Sequence, residues 1–143
     1  MNENKIVNLT ELPDIIKKEK LKGKKIVLSH GCFDLLHPGH IRHFKAAKKY
    51  GDILVVTLIP DKFVKKGPGR PVFNEHLRAE SVASLADVDY VTLEKDENVA
   101  KTIELLQPDF YVKGKEFSNN AEGETSTILQ EEKSVKKIGG EIR

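Results

Sequence analysis

Apolar positions along this chain recur with two alternating periods, and each switch between them marks an element. Ile26–Ser29 is a short apolar run, β-branched in part, and reads as a strand. Over about His40–Tyr50 the side chains of Ile41, Phe44 and Ala47 recur at helical spacing, with Gly51 expected as the C-terminal cap. Asp52–Ile59 is almost unbroken in apolar character, as expected of a strand covered on both faces in a parallel sheet. Strand, helix and strand make a βαβ unit, whose crossover is expected to be right-handed. Asn74 should cap a helix over residues 75–86, with Leu77, Val82 and Leu85 facing inward and Ala79 and Ala83 as small fillers. A third strand is read over Asp87–Leu93, a helix over Asn98–Leu106 and a fourth strand over Asp109–Lys113. A last helix spans Thr127–Ile138, and a further strand starts at Glu141. Residues 62–73 and 115–126 are too rich in glycine, proline or polar residues for regular structure.

Strands therefore alternate with helices. The pattern predicts an α/β fold with a doubly wound, mostly parallel sheet between two helical layers. Before it, residues 5–19 form a lead-in, where Thr10 or Asp14 can cap a helix with Pro13 in its first turn and Gly23 ends it. The expected organisation is a lead-in helix over 1–23, packed at the edge of a main domain over 24–143.

The 143 residues suit one domain, and 38% hydrophobic with 32% charged residues fits a soluble globular chain. No apolar run approaches the ~18 residues of a membrane span, and the first residues lack the basic and apolar regions of a signal peptide. No membrane association and a cytoplasmic location are the expectations. Both signs of charge are mixed, with a net charge of +2, so a nucleic-acid partner is not implied. Cys32 is the single cysteine, which excludes an internal disulfide and a multi-cysteine zinc site. It stands at a strand end, where a small buried residue is needed; a thiol nucleophile beside His37 is the alternative.

The chemistry concentrates in Ser29–His40, at the junction of the first strand and the following helix. Pro38 and Gly39 open that helix, so His37 and His40 flank its N-terminus, where free N–H groups and the positive end of the dipole attract anions. Gly39 would let a ligand approach the backbone, and histidines can donate to phosphate oxygens. Two alternatives stand beside a phosphate site: histidines on a surface turn, or a metal pair. The second is an incomplete zinc set, with Asp34 the only nearby acid.

Gly31-Cys32-Phe33-Asp34-Leu35-Leu36-His37-Pro38-Gly39-His40 resembles, at every position, the GxFDxxHxGH signature of the nucleotidyltransferase (cytidylyltransferase-like) superfamily. Gly69-Arg70-Pro71-Val72, Glu75-x-x-Arg78 and Pro108–Gly114 strengthen the likeness, which covers about 24–143. It comes nearest to the nucleotidyltransferase domain of ADP-heptose synthesis and to glycerol-3-phosphate cytidylyltransferase. The resemblance implies a Rossmann-like nucleotidyltransferase fold. It also implies a reaction in which an acceptor phosphate attacks the α-phosphorus of CTP or ATP and pyrophosphate leaves, helped by Mg²⁺. The acceptor would be a phosphorylated sugar or polyol. His37, His40 and Lys65 would be catalytic. Gly31, Cys32, Phe33, Gly39, Lys113 and Gly114 would lie against the nucleotide. Asp34, Lys66, Arg70 and Arg78 would face the acceptor or its phosphate. The same likeness implies a homodimer.

Members of the superfamily usually carry a Ser/Thr-rich element opening a late helix, which binds the triphosphate. Thr125-Ser126-Thr127 comes too early for it, and the chain reaches Arg143 where the preceding strand should begin. The domain is thus expected to lack its C-terminal element. Flavin mononucleotide, pantetheine phosphate or nicotinamide mononucleotide are alternative acceptors. A non-catalytic nucleotide-binding module of a larger protein is an alternative of another kind. His30, His43 and His76 lie off the motif, with His43 expected on an exposed helix face.

Overall fold

A computed structural model describes residues 5–64, 69, 71–96, 99–113 and 132–143. In chain order they form α1 (Leu12–Leu21), β1 (Ile26–Gly31), α2 (Pro38–Lys48) and β2 (Ile53–Leu58). A 3-10 turn (Asp61–Phe63), α3 (Glu75–Ala83), β3 (Tyr90–Leu93), α4 (Ala100–Leu106) and β4 (Phe110–Tyr111) follow. Residues 132–137 are helical, and β5 (Glu141–Ile142) is the last strand.

The strands form one five-stranded sheet in the order β3-β2-β1-β4-β5, and every pair is parallel. Its chemistry follows from strand parity. Ile26, Leu28, Ile53 and Val55 point to one face, where Leu12 and Ile16 of α1, Ile103 and Leu106 of α4 and Val135 cover them. Val27, Leu54, Val56 and Leu58 point to the other, under Phe44 and Ala47 of α2 and Ala79, Val82 and Ala83 of α3. Each residue of β1 and β2 is thus buried whichever way it points, which explains the unbroken apolar runs.

Three aspartates set where strands begin. Asp52 accepts from the Lys25 N–H (2.8 Å), Asp89 from the Leu54 N–H (2.8 Å) and Asp109 from the Ile26 N–H (2.8 Å). Each carboxylate satisfies an amide at or beside the start of a neighbouring strand. β3 and β4 therefore start after Asp89 and Asp109, later than the apolar pattern suggests.

Some local expectations are corrected. α1 lies over the sheet face rather than at its edge, because Leu12 and Ile16 join the core; the preceding Ile6 and Val7 meet the β3 edge, where Ile6 is bridged to Val91 and the Val7 N–H donates to the Val91 carbonyl at 2.9 Å. α1 is capped by Glu11 without a side-chain bond, not by Thr10 or Asp14. α2 ends at Lys48 with Lys49 as its cap, ahead of Gly51. Leu77 is exposed, and the inward face of α3 carries Arg78, Ala79, Val82 and Ala83 instead. Asn74 does cap α3, its side chain accepting from the Leu77 N–H at 3.0 Å. Among the described residues no helix is long and apolar enough to cross a membrane.

Candidate active site

Sheet order places the site. β1 has β2 on one side and β4 on the other, and the chain reverses direction across the sheet at this point. Open α/β sheets bind ligands in the crevice outside the carboxyl ends of such strands. The Gly31–His40 segment leaves the carboxyl end of β1, and Val112 and Lys113 leave that of β4. The Val112 N–H donates to the Leu28 carbonyl at 2.9 Å and the Lys113 N–H to the Arg143 carbonyl at 3.0 Å.

At the start of α2 the two histidines support each other. The Gly39 N–H donates to His37 Nδ1 at 3.0 Å, and the His37 N–H reaches His40 Nδ1 over a long 3.4 Å. This is a reciprocal cap built from two imidazoles. The ring centroids stand 4.0 Å apart at 38°. A neutral ring whose Nδ1 accepts carries its proton on Nε2. In this arrangement a neutral His37 ring would carry its proton on Nε2, and the longer contact favours the same form for His40.

The amides expected to bind the anion are already in use. Pro38 has no N–H, the Gly39 N–H bonds the His37 ring, and the His40 N–H donates to the His37 carbonyl at 2.9 Å. The helix N-terminus therefore presents its dipole and the imidazoles rather than free Gly39 or His40 amides. Gly39 also makes room for the histidine, since a Cβ there would stand 2.6 Å from His37 Cε1.

Phe33 supports this pair from below. It adopts a left-handed backbone (φ 51°), uncommon for a bulky residue. Its buried ring folds back under Gly31, where a Cβ would stand 2.9 Å from Phe33 Cζ. The ring meets His40 edge-on at 5.5 Å and Phe44 at 4.9 Å.

Cys32 is buried and its carbonyl accepts from Arg78, as suits a structural residue. Asp34 is buried and accepts the N–H groups of Val72 (2.8 Å) and Phe73 (3.0 Å), tying the end of the basic loop to the motif turn. Lys113 is half-buried and pairs with Glu132 at 3.0 Å. Arg78 departs most from expectation. It is fully buried and bonded to Cys32, Asp61 and Phe73, so an open contact to the acceptor or its phosphate does not describe it. Lys65, Lys66, Arg70 and Gly114 lie outside the described residues.

Two contacts escape sequence reading. His43 Nε2 stands 2.9 Å from Ser29 Oγ, joining α2 to β1 beside the crevice, and its ring lies 5.4 Å from Phe44. His30 is buried within β1 with Nδ1 2.8 Å from Thr57 Oγ1. The spacing of His37, His40 and His43, one helical turn apart, was the available signal for the first.

The family model described as cytidylyltransferase-like matches residues 28–141. The chain belongs to the cytidylyltransferase-like family. This bears out the likeness carried by GxFDxxHxGH and the nucleotidyltransferase type it names. Among curated relatives, the bifunctional protein HldE of Geobacter metallireducens is 44% identical over 119 residues, 82% of this chain and 24% of that protein. HldE of Aliarcobacter butzleri is 38% identical over 137 residues, 94% of this chain and 29% of that one. The chain thus spans about a quarter of the length of these relatives. A solved lipopolysaccharide core biosynthesis protein from Thermoplasma volcanium superposes with a TM-score of 0.67 at 30% identity. That match covers 85% of this chain and 96% of the other. Pantoate-beta-alanine ligase from Francisella tularensis, at 17% identity and a TM-score of 0.65, shares the fold alone; it covers 96% of this chain and 65% of the other.

Proposed function

We propose that the protein transfers a nucleoside monophosphate from a nucleoside triphosphate to a phosphorylated sugar and releases pyrophosphate. The observation that carries the reading is the paired, mutually capped His37 and His40 at the carboxyl-end crevice beside β1. Two Nε2–H donors held at a helix N-terminus suit oxygens that gain charge as the α-phosphorus is attacked. Gly31, Cys32 and Phe33 would lie along the nucleotide, as would Lys113 and Gly114 at the β4 end. Lys65, Lys66 and Arg70 would supply cations from the basic loop, and Asp34 would order that loop for the acceptor.

The likeness to lipopolysaccharide core biosynthesis and HldE proteins favours a sugar phosphate over a polyol phosphate. The resemblance to ADP-heptose synthesis favours ATP over CTP. Among the described residues no three His, Cys, Asp or Glu side chains cluster to hold a metal ion. In this reading Mg²⁺ would be carried in on the triphosphate oxygens and would neutralise charge on the leaving pyrophosphate. The reaction belongs in the cytoplasm, where nucleoside triphosphates are available, and a homodimer is part of the same reading, checked by sedimentation.

The test is pyrophosphate release with ATP or CTP, Mg²⁺ and a panel of acceptors: heptose and hexose phosphates, glycerol phosphate, and flavin or nicotinamide mononucleotide. ATP with a sugar phosphate should give the highest kcat/KM. Faster release with a mononucleotide acceptor would replace the sugar reading. Nucleotide binding without release from any pair would replace it with a binding module.

A further inference from the structure

Arg78 is the largest fully buried side chain among the described residues. A buried guanidinium is costly unless its donors find acceptors, and these acceptors come from three separate segments. Nη1 donates to the Cys32 carbonyl at 2.9 Å, in the turn after β1. Nη2 donates to Asp61 Oδ1 at 2.7 Å, in the turn after β2. Nε donates to the Phe73 carbonyl at 3.2 Å, just before α3. Two carboxylates complete the arrangement. Glu75 accepts the Asp61 N–H at 2.9 Å. Asp34 accepts the Val72 and Phe73 N–H groups. Phe73 is therefore held by its amide from the motif turn and by its carbonyl from Arg78.

We infer that Arg78 is a positioning residue for the transfer reaction, locking the Cys32–Asp34 turn and the 72–73 segment into one block. The mechanical route is short. Arg78 fixes the Cys32 carbonyl, which precedes the left-handed Phe33, and the Phe33 ring braces His40. A lysine would supply one point charge for Asp61 but could not also span both carbonyls. The effect on turnover rests on the nucleotidyl-transfer reading above; the locking of the block does not.

The experiment compares the unaltered protein with Arg78→Lys and with Ile103→Ala, a core variant on the far face of the sheet. Two quantities are read: kcat with KM for the triphosphate, and hydrogen exchange of the Val72 and Phe73 amides in the ligand-free protein. Arg78→Lys should lower kcat by about 10²-fold, the order expected of ångström-scale misplacement, with the triphosphate KM little changed. The Val72 and Phe73 amides should exchange about tenfold faster, as local opening predicts. Ile103→Ala should lower the melting temperature while leaving kcat and those two amides unchanged. Arg78→Lys behaving like Ile103→Ala in both quantities would overturn the inference and leave Arg78 a strut of the fold. If the unaltered protein releases no pyrophosphate, the functional reading fails while amide exchange still decides the role of Arg78. Should Arg78→Lys not fold, Asp61→Ala removes the counter-ion from a partly exposed position and should open the same two amides. Unchanged exchange there would overturn the inference equally.

Discussion

His37 caps its helix through Nδ1, and in the proposed reaction its Nε2 would meet the nucleotide, so the structural and chemical roles can be separated by substitution. Gly39 makes this possible, because any side chain there meets the His37 ring. Gly39→Ala should displace that ring, costing roughly 1 kcal/mol of helix capping. It should also lower turnover by about 10²-fold, the usual loss when one transition-state donor is removed. Thermal melting and pyrophosphate release check the two parts. The motif itself was legible in the sequence, down to both histidines. The destination of the backbone amides was not, because nothing in HPGH says that the rings would fold back and consume them. The burial of Arg78 was not legible either. Its partners stand 46, 17 and 5 residues away and leave no local trace.

At the scale of elements, side-chain caps decide where strands and helices begin. Asp109 holds the leading amide of β1 from outside the strand. Asp109→Ala should destabilise the fold by about 1.5–3 kcal/mol, the worth of a hydrogen bond to a charged group. Denaturant unfolding with an unchanged m-value would measure it. Asn74→Ala should cost about 1 kcal/mol through loss of the α3 cap. α1 is tied to β3 by Tyr90, whose hydroxyl is held above its ordinary range by burial first, then by the charges of Glu19 and Asp89 and a hydrogen bond to Glu19. A raised phenol pKa means that its stabilisation is complete below the unfolded value near ~10 and is lost as pH rises through the folded value. Stability measured upward from neutral pH should fall in that alkaline window, and less steeply in Tyr90→Phe. Apolar periodicity made the elements themselves legible, but the aspartate caps bridge residues 27 to 83 positions apart and leave no local trace.

Across the whole molecule, a sheet covered on both faces brings the β1 motif turn and the β4 end to one crevice. The doubly wound architecture was readable because an unbroken apolar strand between two amphipathic helices has few other solutions. The clasp of Arg78, Asp34 and Asp61 was not, since it exists only once three distant segments meet. His37→Asn separates the helix cap from the proposed role of the Nε2–H donors in stabilising nucleotidyl transfer. Asparagine is a good N-cap that keeps an acceptor for the Gly39 amide but has nothing at the Nε2 position. Sugar-phosphate-dependent pyrophosphate release should fall by about 10²-fold or more while the melting temperature stays close to that of the unaltered protein. Release at the unaltered rate from a folded His37→Asn protein would rule out a catalytic role for the His37 Nε2–H.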